Sequence, residues 1–132
     1  MIGDAIYNIL YGGGSGDVFD IVGNKIWPDQ ARQDSTYPFI IYKILETRPS
    51  DEKDGASRLD VVRVSIECYA DARLTARSAA EAVRTALDRK AAGTYGGVAI
   101  DGIRFVDQFT ARFAADPHIF IFESHFDCRE KR

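Results

Sequence analysis

The opening of the chain alternates between apolar and polar side chains with the period of a helix. Apolar residues recur every three or four positions over residues 2–10, which predicts a short first helix. The glycine-rich run at 12–16 ends that helix, and Asp17 is placed to cap a further helical turn over 18–22. Residues 25–27 then predict a short strand that stops at the following proline.

The middle of the chain changes to the patterns of strands. Residues 37–45 are dense in β-branched and aromatic side chains, which predicts a central strand covered on both faces. Residues 59–70 alternate strictly and predict a half-buried strand. Its apolar face holds Val62, Val64, Ile66 and Cys68, and its polar face holds Arg63, Ser65, Glu67 and Tyr69. Between the two strands, residues 46–58 carry many charges with Pro49 and Gly55, and they predict a long mobile loop.

The second half predicts one long helix and two closing strands. The helical stripe consists of Leu74, Ala79, Val83, Ala86 and Leu87, and it stops near Gly93. The strands fall at about residues 103–113 and 119–128. In the last strand Phe120, Phe122, Phe126 and Cys128 share one face, and Ile119, Ile121, Glu123, His125 and Asp127 share the other.

These elements predict the fold class α+β. We expect a single mostly antiparallel sheet of about four main strands, because strands joined by short links pair as antiparallel neighbours. The long helix and the short N-terminal helix pack on one face of that sheet. Residues 1–132 are expected to form one domain, since nothing in the sequence marks an internal repeat or a second core.

Composition narrows the function classes. The formal net charge of −3 disfavours a general binder of the phosphate backbone, which needs clustered Lys and Arg. Cys68 and Cys128 are too few for a disulfide framework, and both lie in apolar runs. The first residues lack the basic stretch of a secretory signal, and no apolar run approaches the roughly 20 residues that span a bilayer. We therefore expect assembly in a reducing cytoplasm, with no membrane partner.

Two motifs invite a ligand-binding interpretation. The run GGGSGD has no preceding strand and no Lys-Ser or Lys-Thr pair, so it predicts a connector rather than a phosphate loop. His118 and His125 have an odd separation, which sends them to opposite faces of one strand and disfavours a shared metal. We expect no metal site and no cofactor.

Catalytic constellations are equally weak. His125 shares a face with Asp127, but we see no Ser or Cys nucleophile on that face to complete a triad. Glu67 and Glu123 could form an acid and base pair, although charge pairing with Arg63, Arg104 and Arg112 explains them more simply. The sequence predicts no catalytic residue, and we expect that the protein is not an enzyme.

One surface favours assembly. Tyr69, Ile119 and Ile121 are predicted to project from the sheet face opposite the core, beside the charged residues Arg63 and Glu123. A face of mixed apolar and charged residues is typical of an oligomer or partner interface. These five residues are the candidate assembly interface.

Three motifs occur in a recognisable order: GNKIWPDQA at 23–31, TYPFIIYKI at 36–44 and LDVVRVSIECYAD at 59–71. An alanine-rich helix to about Leu87 and two strands ending in FESHFDCR follow them. In this order and spacing the chain resembles the tail-completion, or tail-terminator-like, proteins of long-tailed bacteriophages and prophages. The GGGSGD run looks longer than the usual link of that family, which leaves the position of the first helix open.

The resemblance implies a structural virion protein of the tail or neck, assembled in the host bacterial cytoplasm. It implies a homo-oligomeric ring of about six copies, a hexamer, at the head-proximal end of the tail. The partners implied are the tail tube protein and the head–tail connector protein, with DNA passing through the channel without specific binding. The loop residues Arg48, Asp51, Glu52, Lys53, Asp54 and Arg58 are candidates for ordering on assembly.

Two alternatives stay open at this point. One is another phage neck component, such as a head-completion or minor tail protein. The other is a ferredoxin-like module that binds a ligand or RNA, which would need exposed aromatic residues beside basic ones on central strands. Tyr69 and Arg63 meet that requirement only weakly.

Overall fold

The computed structural model describes residues 2–32, 36–49, 59–112 and 118–131, except for the side chains of 111 and 112. This part of the chain contains three helices and six strands. The helices are α1 (Ile2–Tyr11), α2 (Asp17–Val22) and α3 (Arg73–Leu87). The strands are β1 (Ile26–Pro28), β2 (Phe39–Pro49), β3 (Leu59–Ala70), β4 (Gly93–Tyr95), β5 (Val98–Arg112) and β6 (Phe120–Lys131).

All six strands form one sheet in the order β1-β2-β3-β6-β5-β4. The four long strands pair antiparallel, β4 pairs antiparallel with β5, and β1 pairs parallel with β2. The predicted α+β class is confirmed. The predicted number of about four main strands is corrected to six strands in this part of the chain: β1 corresponds to the short strand expected at 25–27, and β4 adds a three-residue strand at the other edge. β4 escaped prediction because three residues are too few to show a periodicity.

The main core lies between one face of the sheet and the helices. The predicted apolar faces of β3 and β6 both point into it, and Ile66, Phe126 and Cys128 are completely buried there. α3 presents Ala76, Ala79, Ala80, Val83 and Leu87 to this face. Its small side chains let the helix backbone approach the sheet closely, and the spacing of three and four residues keeps them on one stripe.

Two details of the predicted helices are wrong. Leu74 is 73% exposed and does not belong to the buried stripe of α3. It lies two positions before Ala76, which places it on nearly the opposite side of a helix. Asp17 is the first residue of α2 rather than its cap, since the cap position is Gly16 and no side chain caps the helix.

The ends of two strands also differ from the prediction. β2 continues through Pro49, so residues 46–49 are strand rather than loop. Only the first part of β2 is well covered, because Phe39, Ile40 and Ile41 are buried whereas the side chains from Ile44 onward are exposed. β5 begins at Val98, five positions before the predicted start near residue 103. The end of β2 carries charged, exposed side chains and so looks like a loop in the sequence. At the start of β5, Val98 and Ile100 lie in the core, but the bulge beside Gly102 interrupts the alternation that would have identified the strand.

Gly96 and Gly97 form the tight turn between β4 and β5. Both have positive φ, 57° and 79°, which is the combination that a two-residue hairpin turn requires. A Cβ atom on Gly96 would lie 2.5 Å from the carbonyl oxygen of Asp4 in α1. The turn therefore packs backbone against backbone and fixes where α1 meets the sheet.

Candidate functional site

The outer face of the sheet, opposite the helices, collects most of the residues that the sequence singled out. The register between β3 and β6 places Glu67 beside Glu123, Ser65 beside His125 and Arg63 beside Asp127. These pairs alternate with the core residues of the same two strands, so all six side chains belong to the outer face.

One end of the outer face is an aromatic cluster. Phe39 lies at its centre, with its ring centroid 4.9 Å from Tyr69, 5.2 Å from Tyr37 and 5.5 Å from Trp27. The rings of Tyr37 and Tyr69 stack on Phe39 nearly in parallel. The aromatic surfaces are therefore engaged with one another, which leaves Tyr69 poorly suited to stacking on an RNA base.

Next to the aromatic cluster lies the ion pair of Lys43 and Glu67. Lys43 Nζ is 2.8 Å from Glu67 Oε1, and the Tyr69 hydroxyl donates a hydrogen bond of 2.7 Å to Glu67 Oε2. The hydrogen bond to Glu67 raises the pKa of Lys43, and burial followed by the hydrogen bond to Glu67 raises the pKa of Tyr69. These two donors offset the repulsion expected between Glu67 and the Glu123 carboxylate opposite it.

His125 lies between two carboxylates. Its Nδ1 is 2.9 Å from Asp107 Oδ1, and its Nε2 is 2.6 Å from Glu123 Oε2. The ring of Phe109 meets the imidazole edge-on, with 5.3 Å between centroids. The sequence pointed to Asp127 as the carboxylate partner, and this is corrected: the partners are Asp107 on neighbouring β5 and Glu123 in β6, while the Asp127 carboxylate is bound to Arg63.

Asp127 instead forms a two-fold hydrogen-bonded ion pair with Arg63. Arg63 Nε donates to Asp127 Oδ1 at 2.9 Å, and a second guanidinium nitrogen donates to Oδ2 at 3.1 Å. Arg104 lies 3.8 Å from the same carboxylate. The hydrogen bonds from Arg63 hold the pKa of Asp127 below its usual range, because they favour the charged carboxylate. Charge pairing thus organises this face, but the predicted partners are corrected: Glu67 pairs with Lys43 and Glu123 contacts His125, while Arg63 and Arg104 lie at Asp127.

Ser65 is the functional candidate that sequence reasoning missed. It lies directly opposite His125, so a serine does share the histidine's face. The pattern of alternation already contained this signal, but the register that brings the two strands together did not follow from the sequence. Ser65 is 1% exposed, and its Oγ has no hydrogen-bond partner among the described residues. Both nitrogens of His125 face carboxylates, so the pair is not arranged as a nucleophile and its base.

The five residues of the candidate assembly interface fall into two groups. Ile119 and Ile121 lie outside the main core, as expected, but they are only 6% and 5% exposed, so little of either side chain is accessible to a partner; their place in an assembly interface stays a prediction. The sheet packs its own aromatic cluster beside Tyr69, the cross-strand partner of Ile121, which covers this end of the face. Tyr69, Glu123 and Arg63 are half-buried and engaged in the pairs described above.

The candidate assembly loop falls mostly outside the described residues. Asp51, Glu52, Lys53, Asp54 and Arg58 all lie outside them. Arg48 lies in β2, where it is 3.2 Å from Glu46.

A cleft of about 360 Å³ opens at the other end of the outer face, lined in part by Arg48, Arg104, Arg129, Asp101 and Asp127. Each arginine lies near a carboxylate, and Arg129 is 3.5 Å from Asp101. The positive charge is thus neutralised from within the chain. Such a cleft lacks the unpaired basic cluster that a phosphate backbone requires.

Other functional candidates find no support in the described part of the chain. It contains no group of three His, Cys, Asp or Glu side chains that could hold a metal ion. None of its helices combines the length and the apolar character needed to cross a membrane. Both cysteines are free and buried, and burial raises the pKa of each thiol to about 12, which disfavours the reactive thiolate.

The described outer face thus consists of paired charges and stacked aromatic rings on an α+β scaffold. The chain belongs to the family of tail completion protein gp17, whose family model matches residues 13–127. It is therefore a phage tail structural protein involved in virion assembly, and the expectation that it is not an enzyme is confirmed by its family.

Comparison with solved structures gives the same fold. A chain from the "Virion of native gene transfer agent (GTA) particle" superimposes with a TM-score of 0.77 and 21% sequence identity. The match covers 97% of this chain and 92% of the other. Comparison with curated protein sequences gives no match.

Proposed function

We propose that this protein forms a ring at the head-proximal end of a phage or prophage tail, where it terminates the tail tube and helps to join tail to head. Membership of the tail completion family is the observation that carries the proposal. The similar fold in a chain of a phage-like virion supports it. In this proposal residues 1–132 act as one domain, and the ring contains about six copies, as the resemblance to tail-terminator-like proteins implies. A closed ring of this kind is built from repeated head-to-tail contacts.

The partners in this proposal are further copies of the chain, the tail tube protein on one side and the head–tail connector protein on the other. DNA passes through the channel without specific binding. The net charge of −3 supports this part, because an acidic lining repels the phosphate backbone and does not retain it. The protein works in the tail or neck of the virion after assembly in the host cytoplasm.

This function can be tested by deleting the gene for the chain from the phage or prophage that encodes it. We expect electron microscopy of the lysate to show filled heads separate from tails, and tails of irregular, extended length. Expression of the chain from a plasmid restores joined particles with uniform tails. Tails of normal length that merely lack heads would contradict termination and would favour another neck component.

A further inference from the structure

Two stretches at opposite edges of the sheet have no strand beside them within the described residues. β1 covers β2 only as far as Tyr42, so residues 43–49 have no described neighbour on that side. At the other edge, β4 and the segment after α3 cover β5 only as far as Phe105, so residues 106–112 have none. We call these stretches the β2 open edge and the β5 open edge.

The two open edges carry most of the exposed apolar side chains. Of the four large hydrophobic side chains that are exposed in the described part of the chain, three lie here. Ile44 and Leu45 on the β2 open edge are 40% and 49% exposed, and Phe109 on the β5 open edge is 44% exposed. Unpaired backbone groups beside apolar side chains form a surface for pairing with another chain.

The direction of the backbone groups on each open edge follows from the hydrogen bonds next to it. The backbone groups of Ile40 and Tyr42 form hydrogen bonds on the β1 side of β2, away from β3. Alternate residues of a strand point their N–H and C=O to the same side, and the bulge between Ile44 and Glu46 shifts this alternation by one residue. Thr47 therefore points its N–H and C=O away from β3. On β5, Ile103 and Phe105 bond outward, and the bulge between Phe105 and Asp107 leaves Gln108 pointing outward. Each open edge thus presents backbone donors and acceptors to an added strand.

We propose that the β2 open edge of one copy pairs with the β5 open edge of the next copy, with Thr47 opposite Gln108. β2 and β5 run antiparallel within the sheet, so copies related by rotation about an axis along the strands bring them together as antiparallel neighbours. This register places Arg48 opposite Asp107 and Glu46 opposite Phe109, all on the outer face.

The contact joins two different surfaces, and such a head-to-tail contact closes into a ring when the rotation between copies allows it. The inference therefore rests on the proposed ring and names the surfaces that build it. Lys43, Pro49 and the two bulges limit indiscriminate edge pairing, because charge, proline and local twist each disfavour an unmatched strand. The β5 open edge of the next copy escapes that restriction in the proposed register, because Asp107 complements the charge of Arg48.

Disulfide trapping tests the register directly. Facing residues of a hydrogen-bonded antiparallel pair have Cα atoms about 5.5 Å apart, which lies within the range of a disulfide. The double variant Thr47→Cys with Gln108→Cys should give a ladder of covalent multimers under mild oxidation, while buried Cys68 and Cys128 stay unreactive. The matched control pairs Thr47→Cys with Thr94→Cys in β4. A double variant that cross-links no more than this control, at any protein concentration, overturns the proposal.

A backbone substitution gives a second, independent readout. Thr47→Pro removes the outward N–H while leaving the hydrogen bonds between β2 and β3 in place, whereas Thr47→Val keeps the N–H. We expect Thr47→Pro to weaken self-association about tenfold or more at unchanged thermal stability, and Thr47→Val to leave it unchanged. Light scattering over a range of concentrations measures the association. Equal association of Thr47→Pro and the unmodified chain overturns the proposal.

The same variants separate this inference from the proposed function. If Thr47→Pro fails to pair yet still restores joined particles to the deletion strain, the open edges are not the ring contact and tail completion stands. If the cysteine pair cross-links into closed multimers while the deletion strain makes normal particles, tail completion fails and the edge contact stands.

Discussion

Phe126 and Phe109 allow a matched comparison between a residue of the core and a residue of an exposed surface. Phe126 in β6 is completely buried and meets the ring of Phe105 edge-on, with 5.7 Å between centroids. Phe109 in neighbouring β5 is 44% exposed. The same substitution by alanine therefore removes the same atoms from two very different environments.

The expected magnitudes follow from burial. Phe126→Ala loses the transfer free energy of a buried ring, leaves a cavity and removes the aromatic pair, so the free energy of unfolding should fall by about 4 kcal/mol. Phe109→Ala loses roughly half as much buried apolar surface and leaves no closed cavity, so the free energy of unfolding should fall by about 1 kcal/mol or less. The milder Phe126→Leu should cost roughly 1 to 2 kcal/mol, which keeps the comparison available if the alanine variant folds poorly.

Urea unfolding followed by circular dichroism measures these losses. With a denaturant slope of about 2 kcal/mol per molar, Phe126→Ala should lower the midpoint by about 2 M and Phe109→Ala by about 0.5 M or less. Self-association should show the opposite order, with Phe109→Ala the more affected at temperatures where both variants are folded. Equal midpoint shifts, or a larger shift for Phe109→Ala, would refute the assignment of Phe126 to the core and Phe109 to a free surface.

Three further outcomes follow from the described contacts. Asp127→Asn should lower stability by about 1 to 3 kcal/mol at neutral pH, because Arg63 loses its carboxylate. The lowered pKa of Asp127 gives a stabilisation that is present above the pKa of the unfolded state and is lost as pH falls through the pKa of the folded state. The free energy of unfolding of the variant should therefore fall less steeply as the pH is lowered. Gly96→Ala should destabilise more than Gly97→Ala, because only the former meets the Asp4 carbonyl at 2.5 Å, and thermal melts compare the two. Both cysteines should resist a thiol reagent at pH 8 until the chain unfolds, since burial raises each pKa to about 12, and rapid labelling of the folded protein would contradict that burial.

The sequence was most informative where one face of an element is buried. The alternation in β3 identified Val62, Val64, Ile66 and Cys68 as core residues, because one face packs into the apolar core while the other carries polar side chains, Ser65 and Glu67 among them, which are also buried. Residues 46–49 at the end of β2 were predicted as loop, because a strand end exposed on both faces carries no such period.

For the outer face, the sequence predicted which residues lie there but not which of them contact one another. Its members follow from alternation along each strand, but their partners depend on the register between strands that are far apart in sequence. The sequence suggested Glu67 and Glu123 as partners of Arg63 and His125 as the partner of Asp127, and the bond between Arg63 and Asp127 emerges only when β3 and β6 align. The facing of Ser65 and His125 depends on the same alignment. Burial of Ile119 and Ile121 depends on tertiary packing that no local pattern encodes.

The contact between Gly96 and Asp4 has a consequence for relatives of this chain. α1 precedes the residues 13–127 that match the family, and a backbone contact with the β4–β5 turn sets its position. In a relative that has any other residue at the position of Gly96, the first helix has to lie further from this turn. Among homologues, glycine at the position of Gly96 should therefore occur together with a first helix docked as it is here. The residue in the β4–β5 turn would then indicate where α1 lies, although α1 precedes the residues that the family model matches.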